Sequence, residues 1–364
     1  MFQTWKMFAL FPLFALASRV CPAQKPHVYH LSGDVAGTHD PSIMKEGKTW
    51  YVFATGKAPG GGQFAVRCSD DLERWKLCGH VFDAIPAWIL GRSPGTKDLW
   101  APDISYVHHE YRLYYAYSLF GKNTSGIALA TNKTLDPSNP KFKWVDKGLV
   151  LDSKAEDNFN AIDPNFVLDG KGGGWLVFGS FWDGIKMRRL NESGLLSTKD
   201  TTTYSLARRV KPAAAALPGL PANWEAIEAP FIVRDGGYFY LFTSWDLCCR
   251  GLKSTYKTMV GRSKSISGPY VDANGKQLVD GGGTELRLPN SRWLGGRAVE
   301  ASIWIHTIEL SSSFTPMTRG QVNPRCNSLR LTGPEDGRTP IWSSRSSPES
   351  SRLRRRRITD AELR

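Results

Sequence analysis

The chain has 364 residues, 41% of them hydrophobic, and a formal net charge of +13. This length allows one large all-β domain or two smaller domains with a real core. The charge would suit a nucleic-acid partner, but outside Arg354–Arg357 the basic residues are scattered and no nucleic-acid motif accompanies them. We therefore expect no nucleic acid among the partners.

The N-terminal segment has the pattern of an export signal. Lys6 precedes an apolar run, Met7–Ala17, that is too short to span a bilayer and is followed by small residues. The residues before Cys21 make a poor lipobox, which disfavours a lipid anchor. We expect a signal peptide over residues 1–23, no membrane partner, and a secreted or periplasmic protein.

A short motif centred on a proline recurs four times. After each proline come apolar residues, a turn and an aromatic-rich strand. The copies are His39–Ile43, Trp100–Ile104, Ile162–Phe166 and Glu228–Ile232, with prolines at 41, 102, 164 and 230 and hence spacings of 61, 62 and 66 residues. Strand-only repeats of this length predict four-stranded blades of an all-β propeller, which we place over residues 24–295.

Acidic residues stand beside three of the four prolines. A propeller brings the starts of its innermost strands together at one end of a central channel. Asp40 and Asp163 directly precede their prolines and Glu228 stands two residues before its own, whereas the second repeat offers Trp100 and Asp103. A single Asp-Pro pair usually marks a turn. Recurrence at equivalent positions instead favours a shared site.

Three carboxyls at the mouth of a narrow channel cannot all ionise freely, so one is held toward its protonated form near neutral pH. A protonated and an ionised carboxyl then coexist. Flanking a sugar, with a water molecule between them, they are the equipment of an inverting glycosidase, and a third carboxyl can orient the acid and raise its pKa.

The motifs resemble glycoside hydrolase family 43, in particular its endo-α-1,5-L-arabinanase branch, from about Tyr29 to Leu294. Further similar stretches are Arg67–Leu72, Leu99–Asp103, Tyr117–Gly121 and Gly179–Trp182. The resemblance implies a five-bladed propeller, active as a monomer on arabinan or arabino-oligosaccharides and needing no cofactor for its chemistry. It also implies that Asp40 is the general base, Glu228 the general acid and Asp163 the residue that tunes the pKa of the acid.

Other functions stay open. An exo-acting α-L-arabinofuranosidase or β-xylosidase of the same family would have a pocket closed at one end. A fructan-cleaving propeller would use the first-repeat Asp as a nucleophile. A propeller that binds sugar without cleaving it is disfavoured because all three acids are present.

Aromatic and polar residues near the acids are candidates for substrate binding, because furanose rings present apolar faces while their hydroxyls need fixed donors and acceptors. The candidates are Trp100, Phe120, Gly121, Asn160, Ser180, Phe181 and Trp182. Packing between blades is the competing explanation for Trp100 and Phe120.

The cysteines allow several interpretations. An exported chain permits disulfides, and a bridge between Cys68 and Cys78 is one possibility. The adjacent pair Cys248 and Cys249 either shapes a loop at the rim or supplies buried thiols. We expect no metal site here, since His80 is the only nearby histidine and no second ligand pair completes a set.

After Trp293–Gly295 the pattern stops where the period predicts a fifth blade. Residues 296–364 contain no Lys and are rich in Arg and Ser, so a disordered linker or basic anchor is one interpretation. A frameshift is the one we favour. Codons for Ser313–Thr318, read from the third base, can give Phe-His-Ala-Tyr-Asp, and Leu331–Gly333 can give Asp-Trp. Both sequences resemble the family's fifth blade.

The proposed frameshift has a consequence for metal binding. In the family, the His of the fifth-blade motif helps to hold a channel ion, Ca²⁺. Because that His is not in the translated frame, we expect the ion to be weakly bound or absent.

Overall fold

A computed structural model describes residues 29–210, 225–250 and 254–286, and two short strands at 330–331 and 342–343. The predicted signal peptide and most of the atypical tail lie outside these residues. Within them the structure is almost entirely β. In the part of the chain described, no helix is both long and apolar enough to cross a membrane.

The strands form four large sheets in chain order. The first contains β1 (Ser32–Gly33), β2 (Ser42–Glu46), β3 (Thr49–Phe53), β4 (Gln63–Ser69) and β5 (Arg74–Phe82). The second contains β6 (Trp100–Val107), β7 (Glu110–Tyr117), β8 (Gly126–Asn132) and β9 (Val145–Asp152). The third contains β10 (Asn165–Leu168), β11 (Gly174–Phe178), β12 (Ile185–Arg189) and β13 (Tyr204–Ala207). The fourth contains β14 (Ile227–Asp235), β15 (Tyr238–Trp245), β16 (Lys257–Ser263) and β17 (Thr284–Glu285).

Helices and a small sheet complete the described elements. Helix α1 (Ala87–Arg92) lies between the first and second sheets, and a 3-10 helix, Leu278–Asp280, precedes β17. The strands β18 (Arg330–Leu331) and β19 (Trp342–Ser343) pair with each other in a separate two-stranded sheet.

Each large sheet is a meander of antiparallel neighbours, which is the form of a propeller blade. The second, third and fourth sheets run in simple sequence order, and β1 adds a parallel strand to the outer edge of the first beside β5. The predicted all-β propeller is therefore confirmed, with four blades among the described residues. Each blade starts at its predicted proline motif.

The hydrophobic core lies between consecutive blades. Strands β4 and β8 are buried along their whole length. Strand β8 packs against the first and third blades, whereas Arg67 of β4 bonds to the carbonyls of Asp34 and Ala36 in the N-terminal segment. Phe64 of the first blade packs edge-on against Tyr115 of the second, with 5.5 Å between ring centroids. Tyr114 stacks on Phe166 of the third blade at 5.8 Å. These aromatic pairs join neighbouring blades face to face.

The residue before each of the four prolines has a left-handed backbone. The φ angles are 45° at Asp40, 44° at Ala101, 55° at Asp163 and 50° at Ala229. A residue before proline is normally extended, and a left-handed residue other than glycine costs about 1–2 kcal/mol. Recurrence of this conformation at all four positions shows that the repeats are structurally equivalent.

A hydrogen bond between neighbouring blades also recurs. In each case the side chain directly after one proline accepts the backbone N–H of the second residue after the next proline. The three bonds are Ile104 N to Ser42 Oγ at 3.0 Å, Phe166 N to Asp103 Oδ2 at 2.7 Å and Ile232 N to Asn165 Oδ1 at 2.9 Å. They fix the heights of the innermost strands relative to one another.

A disulfide links Cys68 in β4 to Cys78 in β5, with 6.0 Å between the Cα atoms. This separation is in the normal range for such a bridge. The bridge that the sequence left as one possibility is therefore formed, and it joins the neighbouring strands β4 and β5 of the first blade.

We expect the bonds between blades to matter for stability. Asn165→Leu removes the acceptor for Ile232 N–H and leaves a buried donor unsatisfied, which should lower the free energy of unfolding by about 1–3 kcal/mol. Equilibrium urea unfolding measures the change. Asn191→Leu is the matched control, because Asn191 accepts the N–H of Leu195 in an exposed turn where water can replace it. Equal losses in the two variants would contradict this role.

Candidate active site

The three predicted acids share one site. Asp40 and Asp163 stand at the entries to the innermost strands of the first and third blades, and Glu228 lies at the start of β14 in the fourth. Asp163 Oδ2 accepts the N–H of Ala229, the residue after Glu228, at 3.1 Å. The charges of Asp40 and Glu228 both act on Asp163. Residues up to 188 positions apart in sequence are thus neighbours in space.

Asp40 is held by groups from its own blade. Thr55 donates its hydroxyl to Asp40 Oδ2 at 2.6 Å and accepts the N–H of Ala101 at 2.7 Å, which ties the acid to the second blade. His39 Nδ1 lies 3.4 Å from the same carboxylate oxygen. The side chain of Asp40 is 38% exposed, so solvent and ligands can reach it.

The surroundings of Glu228 raise its pKa, so that it can hold a proton near neutral pH. Burial raises its pKa to about 7, and the negative charge of Asp40 adds to the rise. Two hydroxyls act in the opposite direction by hydrogen-bonding to the carboxyl, those of Ser180 and Tyr256. The Ser180 bond is 2.8 Å long. The net effect is a pKa above the ordinary range of a glutamic acid, so this carboxyl holds its proton at a higher pH than an exposed glutamic acid does.

Asp163 has a pKa well above the ordinary range of an aspartic acid. Burial is the main cause, and the charges of Glu228 and Asp40 follow it. The N–H of Ala229 opposes these effects by stabilising the carboxylate. Since Asp163 and Glu228 both resist ionisation beside Asp40, the cluster retains a proton that can be donated.

The second blade differs from the others at this position. Trp100 occupies the place of Glu228: each is followed by a left-handed alanine, and the strand register shifts at Trp100/Asp103 as it does at Glu228/Phe231. Asp103, the acid that the sequence offered in this repeat, is buried and bonded to Phe166 N–H and the amide of Asn165. Burial raises its pKa to about 7. Asp103 therefore joins the second blade to the third through these hydrogen bonds.

The structure separates the aromatic candidates. Phe120 is 97% exposed, so packing between blades, the competing explanation for this residue, is wrong. The adjoining Gly121 is also exposed and has open space at its Cα. Trp100 is half-buried and packs against the core between the second and third blades. Packing is therefore at least part of its role.

Of the remaining candidates, Ser180 and the turn at Phe181 and Trp182 contact the start of β14, which carries Glu228. Asn160 is buried, and its side-chain oxygen accepts no hydrogen bond from the described residues. Ser180 donates to Glu228, so it positions the carboxyl as well as being a candidate for sugar binding. Phe181 and Trp182 are both left-handed, and Phe181 N–H donates to the carbonyl of Ile227 at 2.8 Å. This bond places their turn beside the start of β14.

Three contributors to the site were missed in the sequence. His39 stood within the first motif beside Asp40, which was a usable signal. Thr55 and Tyr256 gave none, because nothing in the local sequence shows that they contact acids of the same site. Their role depends on how the strands are brought together.

The described residues do not supply the calcium site that the family resemblance implies. Within residues 29–210, 225–250 and 254–286, no three His, Cys, Asp or Glu side chains are grouped to hold a metal ion.

A propeller with three neighbouring carboxyls at one end of its blades, two of them with raised pKa values, has the fold and site of a glycosidase. Residues 35–292 match the family model for glycosyl hydrolases family 43. The chain belongs to this family.

Relatives and solved structures agree with this assignment. The chain is 42% identical over 285 residues to the extracellular exo-alpha-(1->5)-L-arabinofuranosidase ArbA of Cellvibrio japonicus, covering 76% of this chain and 80% of that one. It is 39% identical over 299 residues to the extracellular endo-alpha-(1->5)-L-arabinanase 1 of Bacillus subtilis, covering 80% and 86%. The structure of a Cellvibrio cellulosa alpha-L-arabinanase complexed with arabinohexaose is similar with a TM-score of 0.64 and 42% identity, over 71% of this chain and 80% of that one.

We expect Tyr256→Phe to raise the pKa of Glu228 above about 7, because the variant removes a hydrogen bond that stabilises the carboxylate. Carbon-13 chemical shifts of labelled glutamate carboxyls, followed against pH, measure the change without needing activity. Tyr270→Phe is the matched control, since its buried hydroxyl donates to the carbonyl of Ile266. An unchanged or lower pKa in Tyr256→Phe would show that this hydroxyl does not stabilise the carboxylate.

Proposed function

We propose that this protein is an endo-acting arabinanase that hydrolyses α-1,5-linked arabinofuranosyl bonds in arabinan with inversion. The observation that carries the proposal is the cluster of Asp40, Asp163 and Glu228, in which two carboxyls have raised pKa values. The names of the similar proteins point to the arabinan substrate. One similar structure was solved with arabinohexaose bound.

In the proposed reaction, a water molecule attacks the anomeric carbon on the face opposite the leaving sugar. Asp40 accepts a proton from this water, and Glu228 gives its own proton to the departing glycosidic oxygen as the carbon–oxygen bond breaks. Asp163 is the proposed modulator of the acid: the charges of Asp163 and Glu228 interact, and the bond from Ala229 N–H to Asp163 holds the backbone beside Glu228. The exposed carboxyl of Asp40, bonded to Thr55, suits the base.

The substrate candidates have distinct proposed roles. Phe120 and Trp182 offer ring faces to the furanose units, and Trp100 and Phe181 form the wall behind them. The side-chain oxygen of Asn160 has no hydrogen-bond partner among the described residues but is buried, so binding a sugar hydroxyl would require this side chain to become accessible. Gly121 is exposed beside Phe120 with open space around it, and we propose that it adjoins the bound polymer.

Exo-action is the second candidate, since one of the relatives is named an exo-arabinofuranosidase. An exo-enzyme closes one end of its site around the chain terminus, whereas an endo-enzyme leaves both ends open. Phe120 is 97% exposed, which fits a binding site that is open at its edge, and we therefore favour endo-action.

The reaction can be tested by product analysis. Debranched arabinan should give a mixture of oligosaccharides from the first minutes, and proton NMR should show a newly formed β-anomeric end. Release of arabinose alone would identify an exo-enzyme. An α-anomeric first product would contradict inversion, and binding of arabinan with no sugar released would identify a binding protein.

Variants test the proposed roles within the same assay. Glu228→Gln and Asp40→Asn should each reduce kcat by about 10²–10⁴-fold. With an aryl arabinoside whose leaving group needs no proton, Glu228→Gln should lose much less, because the acid is then dispensable. Asp70→Asn, which changes an exposed carboxylate on the first blade, is the control and should keep full activity.

For the whole chain we propose a signal peptide at residues 1–23, a propeller at 24–295 and an out-of-frame tail at 296–364. The proposed site of action is outside the cell, which the names of two extracellular relatives support. Further support for the tail comes from the four equivalent blades and from the change in composition after Gly295. A complete propeller would then have five blades, and loss of one leaves the ring of blades open.

Reading the DNA across codons 293 to 318 tests this organisation. We expect a single-base correction to restore a fifth blade with a His-Ala-Tyr-Asp sequence, and the corrected chain to be more soluble, to bind Ca²⁺ more tightly and to hydrolyse arabinan faster. Elemental analysis and the arabinan assay on both chains measure these differences. Uninterrupted codon usage through the tail, with no such motif in the other frame, would make the tail a genuine part of the protein.

A further inference from the structure

Two adjacent thiols lie at the edge of the acid cluster. Cys248 and Cys249 follow the end of β15, and both side chains are thiols. Cys248 is half-buried and Cys249 is exposed. Cys249 has a left-handed backbone, with φ of 62°, so the chain turns sharply at this residue and the second thiol is presented at the surface.

Distances connect the exposed thiol to the proposed general base. Cys249 Sγ lies 3.7 Å from Nε2 of His39. The other ring nitrogen of His39 lies 3.4 Å from Asp40 Oδ2. One imidazole therefore spans the gap between thiol and carboxylate, across the first and fourth blades.

The charges of the neighbouring acids also affect the pKa of Cys248. The negative charges of Glu228 and Asp40 both disfavour a thiolate at Cys248, although its contact with Cys249 and its burial are larger causes of its raised pKa. A group added to this pair will thus lie beside the same carboxyls.

We propose that Cys248 and Cys249 form a covalent modification site for low-molecular-weight disulfides such as glutathione disulfide, with Cys249 as the thiol that reacts first. The modification closes the site around Asp40 and lowers hydrolysis. The inhibitory part of this proposal rests on the proposed function, whereas the modification itself does not.

The chemistry is thiol–disulfide exchange. The Cys249 thiolate attacks one sulfur of the disulfide, the sulfur–sulfur bond of the reagent breaks, and one thiol leaves with the proton that Cys249 gave up. A mixed disulfide remains on Cys249. Attack by Cys248 on Cys249 Sγ then expels the second thiol, so that the two protein thiols are oxidised and the reagent disulfide is reduced to two thiols.

The two thiols are not equivalent in this sequence of steps. Exposure makes Cys249 accessible to a peptide-sized reagent, whereas Cys248 is half-buried. The raised pKa of Cys248 keeps its thiolate scarce and slows the second step. We therefore expect the mixed disulfide on Cys249 to accumulate.

Inhibition follows from the position of the adduct. A glutathionyl group on Cys249 brings bulk and negative charge to within contact of His39, which lies against Asp40. It competes with a sugar for the space over the base and displaces the imidazole. The bridge between Cys68 and Cys78 is already formed and offers no free thiol to the reagent.

The test uses the full chain with glutathione disulfide, followed by peptide mapping by mass spectrometry and by the arabinan assay. We expect one glutathione on Cys249, no adduct at this peptide in Cys249→Ser, and a more persistent adduct in Cys248→Ser. Activity should fall about tenfold or more, because small displacements near reacting groups are costly, and dithiothreitol should restore it. Cys326→Ser, which removes a thiol outside the described residues, is the matched control and should be inhibited like the parent chain.

Each other outcome has a defined meaning. An adduct confined to Cys326, or none on the peptide that carries Cys249, overturns the site. Full modification of Cys249 in a chain that still hydrolyses arabinan at its original rate overturns the inhibition. If the unmodified chain has no activity on arabinan, the proposed function fails, and the peptide map alone decides whether the modification site exists.

Discussion

A hydrogen bond from a backbone N–H of one blade to a side chain of the preceding blade is the interaction on which the rest of the structure depends. It occurs at each of the three junctions between the described blades, with Ser42, Asp103 and Asn165 as acceptors. The N–H groups belong to the innermost strands, which have a ladder partner on one side only. Each side chain thus satisfies a donor that would otherwise be buried unpaired, and it sets the height of the next blade.

Because the heights of the innermost strands are fixed, the left-handed residues before the four prolines lie at the same end of the propeller and form the site there. In the first and third blades that residue is itself an acid, Asp40 or Asp163, and in the second and fourth it is an alanine that follows Trp100 or Glu228. The strain of four such residues is tolerated because packing and the bonds between blades over-determine the backbone. Strained positions that are repeated at one end of a fold are expected at functional sites.

The sequence was sufficient for the blades, the starts of the strands and the three acids, because the proline motif combines turn chemistry with a regular spacing. It was insufficient for Thr55 and Tyr256, whose contacts with Asp40 and Glu228 arise only when separate strands meet. Local pattern could not settle the disulfide either, because the spacing of Cys68 and Cys78 is also compatible with two thiols. The exposure of Phe120 depends on what surrounds its loop, which no periodicity records.

A raised pKa by itself does not identify a catalytic acid, as the comparison of Asp103 with Glu228 shows. Burial raises the pKa of each to about 7. Protonation of each carboxyl therefore stabilises the folded state at low pH, and this stabilisation is lost as the pH rises from the pKa of the unfolded chain through about 7. The oxygens of Asp103 are taken up by Phe166 N–H and the Asn165 amide, and its side chain is nearly inaccessible. Glu228 is bonded to hydroxyls, is partly accessible, and lies beside two other acids. Burying a carboxyl therefore costs stability at neutral pH for both residues. At Asp103 the buried carboxyl joins two blades, whereas at Glu228 it leaves a proton within reach of a substrate.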